Sequence, residues 1–252
     1  MLQELPKKEK NYATPTQGQL FWRVQGECWR RAVTPFLMYL FMSMIALTMQ
    51  AISGDKLLWL RMLLGIVCIL CGAAYNAHLC FQYGKKHYDV FATGEIHRRN
   101  AAFGIESGGD YRAHQEYRPW KGFLIGFFTG VPAVLFGLIS AFTGALDFVY
   151  LLLAGWAYLP LSWARSIKVQ RLGDGATING AWSIFMVLLP VLVSGVFYIL
   201  GAKKRKAEKD AASARAAEVE RLRQEAKKNQ EERRIQTEEQ RKKTAQSKKK
   251  KK

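Results

Sequence analysis

The closest approach to a chemical constellation is a row of residues in one apolar stretch. Arg61, Leu64, Cys68, Cys71, Tyr75, His78 and Gln82 follow one another at spacings of 3, 4, 3, 4, 3 and 4. That rhythm places side chains on one face of an α-helix. All but Leu64 are polar or polarisable. Such groups are costly against lipid, so the stripe is expected to face other helices or a water-filled path. Two readings follow. One is the lining of a substrate or proton route, with His78 as its proton-carrying member. The plainer one is a hydrogen-bonded seam between helices, favoured because no carboxylate lies in the apolar stretches to complete a proton relay.

Cys68-x-x-Cys71 puts two thiols on one helical face, but a zinc site needs two further ligands, and His78 is two turns away. Redox use needs an accessible, electropositive thiol, which an apolar stretch does not supply. Farther on, His87, His97 and His114 mingle with Asp89, Glu95, Glu106, Asp110 and Glu116 without any short metal-ligand spacing. Gly173-Asp174-Gly175 lacks the Lys-Ser/Thr of a phosphate loop and reads as a turn. No nucleophile elbow or paired-histidine motif is present. The expectation is a protein that is not an enzyme, with no catalytic residue, cofactor or metal.

The remaining signals concern packing and charge. Gly122, Gly126 and Gly130 repeat every fourth residue, and Gly137 extends the small face. Small residues at this period let helix backbones approach closely where lipid offers no hydrophobic drive. The partner is another helix of this chain, or a homo- or hetero-oligomer. Pro132, Pro160 and Pro190 fall inside successive apolar stretches, where each can kink a helix. The segment 202–252 holds twenty Lys and Arg against nine Asp and Glu, and no aromatic residue. Its basic runs, Lys203, Lys204, Arg205 and Lys206 at the start and Lys248, Lys249, Lys250, Lys251 and Lys252 at the end, are candidate polyanion contacts. Without aromatics for base stacking, nucleic-acid binding there would be blind to sequence.

These groups must be carried by elements suited to a bilayer. Apolar stretches at 33–53, 57–81, 122–143, 148–166 and 181–201 approach the ~20 residues a helix needs to cross. Two charges fall within them, Arg61 near one end of the second and Arg165 near the end of the fourth, where a long side chain can snorkel. Ahead of them lies a polar segment, 1–32. Trp22 and Trp29 mix with arginines there, as in a short interfacial helix or an ordinary helix start with anchoring residues. Residues 84–121 read as the one sizeable loop between stretches. From Lys203 the composition is strongly helix-forming, with Glu-Lys and Glu-Arg pairs at i+3 and i+4. A faint seam of Ala212, Val219, Leu222 and Ala226 is too interrupted for a firm coiled coil.

Topology carries a conflict. Six basic residues before the first stretch and seven in 84–121 place the N-terminus in the cytoplasm. Five crossings would then export the tail, yet Lys203 to Lys206 is a strong signal to stay inside. A re-entrant or flat fourth stretch, with Pro160, Trp156 and Trp163, would reconcile the two; so would an external N-terminus.

The Lys-rich tail, 203–252, after about five spans resembles that of the YidC-type membrane insertases. The resemblance implies a cytoplasmic tail that docks on the ribosome. The core departs from that family: the first link is three residues long, the long loop follows the second stretch, and no basic residue lies mid-way in the first. No family residue is therefore carried over. The expected fold is an all-α polytopic membrane helix bundle of four or five spans with a long charged C-terminal helix. Its expected place is the cell membrane, among lipid. The expected role is a scaffold or assembly factor whose tail meets ribosome, nucleic acid or anionic lipid; the alternative is a small transporter or channel subunit using the stripe.

Overall fold

The computed structural model describes residues 16–52, 58–104, 111–143, 149–150, 152–157, 170–171, 176–177 and 180–249. Four long helices dominate: α1 (Gln17–Ile52), α2 (Leu58–Ala102), α3 (Trp120–Thr143) and α4 (Gly180–Lys249). A 3-10 turn at Ala113–Gln115 precedes α3, and residues 152–157 form a short helical segment. The two-residue strands Gln170–Arg171 and Ala176–Thr177 pair antiparallel, Gln170 with Thr177 and Arg171 with Ala176. The chain divides into two compact units, Met1–Lys204 and Arg205–Lys252.

All four helices are long and apolar enough to cross a membrane. Of the five apolar stretches, 148–166 is described only at 149–150 and 152–157. Pro160, Trp163, Gly173-Asp174-Gly175, the turns at 54–56 and 144–147, and residues 1–15 lie outside the described residues.

Two boundaries differ from the sequence reading. Residues 84–102 are helix: α2 runs 45 residues without a break, about 68 Å at 1.5 Å per residue. Hydropathy falls after Phe81, but nothing there stops a helix. No proline occurs before Pro119, and the charged residues are helix-compatible. Residues 17–31 are likewise continuous with the first apolar stretch in α1, which passes through Pro35.

Large apolar side chains face outward as well as inward on all four long helices. Val33, Leu37, Phe41 and Met44 form an exposed stripe on α1; Leu188, Leu192, Val196 and Leu200 form another on α4. α2 and α3 expose Leu63, Ile66, Leu70, Phe127, Leu135 and Leu138. Ser43, Asn76, Thr129, Ser140 and Ser194 are buried instead. Ser43 Oγ accepts the backbone N–H of Trp156 at 3.0 Å, and Asn76 Oδ1 accepts the Ser194 hydroxyl at 3.1 Å. Hydrogen-bonded polar groups between helices and apolar groups on the outer faces suit an apolar solvent.

Two core clusters fix the helix directions. One joins Val24, Cys28 and Ala32 of α1 to Cys80 of α2, Ile125 of α3 and Tyr198 of α4. The other joins Tyr39, Met42 and Ala46 of α1 to Cys68 of α2 and to Tyr150, Ala154, Trp156 and Ala157, with Val134 and Leu189 packed against it. From the first cluster to the second, numbering rises along α1 and α3 and falls along α2 and α4. These helices therefore alternate in direction. The starts of α1 and α3, the far half of α2 and residues 198–204 share one end of the bundle. The link from α3 to α4 leaves from and returns to the opposite end.

Candidate functional site at the basic end of the bundle

The stripe singled out on α2 is divided by the fold. Cys68 is buried and Gln82 partly so, but Cys71, Tyr75 and His78 are exposed on the surface of the chain. The side chain of Arg61 lies outside what the structure describes. Within this chain, then, the stripe does not all face other helices. The buried face of α2 is the neighbouring one, running through Cys68, Gly72, Asn76, Cys80, Gly84 and His87. A small-residue and polar spacing near four defines it, and the stripe follows the adjacent row. Neither cavity described below is lined by a stripe residue. All four cysteines are free. Among the described residues, no three His, Cys, Asp or Glu side chains gather closely enough to hold a metal ion.

The α3 glycines face inward. A Cβ on Gly122 would lie 2.6 Å from Tyr198 Cβ, and one on Gly126 would strike the Pro190 carbonyl and lie 2.5 Å from Val191 Cα. Gly137 faces the Tyr150 ring. Gly130 borders a void of about 10 Å³ beside Pro190 and Trp156, room for about one water. On α2 and α4 the contact is reciprocal. A Cβ on Gly84 would fall on the Tyr198 carbonyl, and one on Gly201 on the Phe81 carbonyl.

Where Gly84 lets α4 approach, a buried polar cluster forms that sequence spacing did not reveal. His87 Nδ1 and the Tyr198 hydroxyl are 2.8 Å apart, with the rings edge to face. Tyr117 stacks on Tyr198 at 5.4 Å, and its backbone N–H donates to the His87 carbonyl. Lys121, fully buried, donates from Nζ to the backbone carbonyls of His114 at 2.7 Å and Glu116 at 2.6 Å. A single ammonium thus folds residues 114–116 back onto the start of α3. Glu116 Oε1 accepts from Arg98 at 2.8 Å and from the Tyr111 hydroxyl. Burial, and then the neighbouring carboxylate, pushes the Tyr111 phenol up to about 12.

On the α1 side, the carboxylate of Glu27 is buried and doubly paired. Oε2 accepts from Arg30 at 2.5 Å and Oε1 from Arg31 at 2.8 Å. Arg31 also lies over the Tyr83 ring, 4.7 Å from its centroid. Between α1 and the 3-10 turn opens a groove of about 380 Å³, walled by Arg23, Gly26, Glu27, Arg30, Arg112 and His114 among others. Burial holds the His114 imidazole below its ordinary range; Glu27 opposes the shift, and the charges of Lys121, Arg23 and Arg112 add to it.

The basic candidates of the tail divide between the two units. Lys203 and Lys204 are exposed, and Lys204 Nζ lies 5.8 Å from the Phe81 ring centroid, with Lys85 on the same ring. In the second unit, Arg205 pairs with Glu208 and Arg221 with Glu225 along the helix. Lys206 is exposed, as is every residue from 210 to 234, Val219 and Leu222 of the seam included. Lys248 and Lys249 are helical in backbone, and Lys250, Lys251 and Lys252 lie outside the described residues.

What hid the cluster was chain distance. His87 meets Tyr198 111 residues away, and Asn76 meets Ser194 118 residues away. Only the Glu27-Arg30-Arg31 spacing, at three and four, was a local signal. No family model, no curated protein and no solved structure matches this chain.

Proposed function

We propose that this chain is a multi-pass membrane protein with four crossings and both termini in the cytoplasm. It acts as a non-enzymatic tether or assembly factor, anchored by residues 17–201 and engaging an anionic partner through residues 203–252. Support for the membrane part comes from exposed apolar stripes on all four long helices, far more than a protein in water tolerates. The observation that carries the topology is that Arg31, Lys85, Lys121 and Lys204 come to one end of the bundle. Positive flanks mark the cytoplasmic side. With helices alternating in direction and four crossings, N-terminal and C-terminal segments lie on the same side, which removes the conflict that five crossings would create. The exposed charges of residues 210–234 favour a solvated helix that meets its partner electrostatically, through ribosomal or other nucleic acid, or anionic lipid.

A reporter that fluoresces only in the cytoplasm, fused after Lys252, is expected to be bright. Binding of the purified full chain to ribosomes, RNA and anionic vesicles is then followed against salt. The expected result is a linear fall of log K with log salt, shallower when Lys203, Lys204, Arg205 and Lys206 are all changed to Gln. A dark reporter beside a bright external one, or binding indifferent to both salt and the four substitutions, overturns the proposal.

A further inference from the structure

The groove between α1 and the 3-10 turn is separate from the tail and has its own chemistry. Three guanidiniums, those of Arg23, Arg30 and Arg112, wall it against one carboxylate. That carboxylate, Glu27, is buried and accepts from Arg30 and Arg31 through its two oxygens. The side chains that wall the groove thus carry more positive than negative formal charge. Its volume falls in the ~300–1,000 Å³ range of small-molecule sites. Guanidinium is the side chain whose planar fork matches phosphate oxygens.

Gly26 is a second feature of the lining. It sits inside α1, where glycine weakens a helix relative to alanine. The other glycines discussed above admit a neighbouring helix or ring. A Cβ on Gly26 would meet nothing within 4 Å, so packing inside this chain gives no reason for it. Its missing side chain keeps the floor of the groove open. On the same part of α1, Phe21, Trp22 and Trp29 are exposed, Trp22 at 73%. Aromatic side chains of this kind sit at the level of lipid headgroups.

We propose that this groove is a binding site for a phosphate monoester or diester, held by Arg23, Arg30 and Arg112 over the open floor at Gly26. The phosphate comes from an anionic lipid headgroup or a small soluble phosphate; the chemistry is shared. The site lies wholly in the first unit and does not depend on the tail.

The test uses the full chain in a neutral maltoside detergent and follows thermal unfolding. The probes are dioctanoyl phosphatidylglycerol, glycerol 3-phosphate and, as the zwitterionic control, dioctanoyl phosphatidylcholine. A saturable rise in melting temperature is expected with the first, or with the first two, and not with the control. A rise with phosphatidylglycerol alone identifies a lipid site; a rise with both shows that the phosphate group suffices. Gly26→Glu should weaken the apparent affinity at least tenfold, and its melting temperature without ligand should not fall below that of the wild type. Arg23→Gln, on an exposed side chain, should weaken it in the same direction and serves if Gly26→Glu melts early. The variant with Lys203, Lys204, Arg205 and Lys206 changed to Gln should respond like the wild type, so failure of the tail proposal and failure of this one remain distinguishable. The proposal is overturned if no probe shifts the wild type, if phosphatidylcholine shifts it equally, or if the groove variants respond unchanged.

Discussion

Replacing Gly84 by Ala adds one methyl group at the closest approach of α2 and α4. The new Cβ would fall on the Tyr198 carbonyl oxygen and lie 3.0 Å from its carbon and 3.1 Å from the Ala202 nitrogen. All three are backbone atoms, so no side chain can swing aside. A carbon-to-oxygen contact settles near ~3.3–3.6 Å, so the two helices must part by more than ~1 Å. A gap of ~0.5–1 Å forfeits a quarter to a half of each dispersion contact across it. Overpacking of this kind costs about 1–3 kcal/mol. The parting also stretches the His87–Tyr198 pair, 2.8 Å apart one turn on, whose loss adds about 1 kcal/mol. Alanine returns about 1 kcal/mol of helix propensity. The net expectation is a loss of about 1–3 kcal/mol, read as a lower midpoint in thermal or denaturant unfolding in mild detergent. Gly26→Ala is the control, since its Cβ meets nothing and propensity alone should stabilise by about 0.5–1 kcal/mol. If both alanines shift the midpoint upward, the close α2–α4 contact is wrong.

Lys121→Ala removes the ammonium that ties the carbonyls of His114 and Glu116 and leaves them without that donor. Unfolding should become easier by about 2–4 kcal/mol, and proteolysis should begin in residues 111–119. Ser43→Ala takes away the acceptor of the Trp156 N–H inside an apolar core, with an expected loss of about 1–3 kcal/mol in the same melt. Stability should also depend on pH through His114. Its folded-state pKa is depressed below the unfolded value of ~6.5, so the unfolded chain binds more protons as pH falls. The wild type should hold its midpoint above that value and lose stability below it; His114→Gln should lose less between pH 7 and 5. An equal acid response of both proteins refutes a part for His114.

Long apolar helices were legible because about 20 consecutive apolar residues admit few other structures. The glycine face of α3 was legible for a related reason, since small residues at a period of four have few uses other than close approach. Residues 84–102 were not, because hydropathy reports where lipid ends and says nothing of where a helix ends. On α2 the most polar row drew attention, while the buried row is the one with Gly72 and Gly84; helix contact here is governed by the absence of side chains as much as by polarity. The His87–Tyr198 pair is non-local, and the Lys121 clasp, though its acceptors are only five and seven residues away, follows no helical period, so no spacing along the chain encodes either. The arginine groove was half visible: the Glu27-Arg30-Arg31 run could be read, but the return of Arg112 and His114 onto α1 needed the fold.

The pairing of α2 with the end of α4 also sets a timetable for synthesis. Asn76 and His87 find Ser194 and Tyr198 only after more than a hundred further residues have been made. At ~5–20 residues per second, those polar groups wait on the order of 5–20 s before their partners emerge. During that interval an incomplete chain offers an open, hydrogen-bonding cleft along the Gly72–Gly84 face. Nascent chains stalled before residue 190 should therefore be the form in which this protein is most readily captured by membrane quality control.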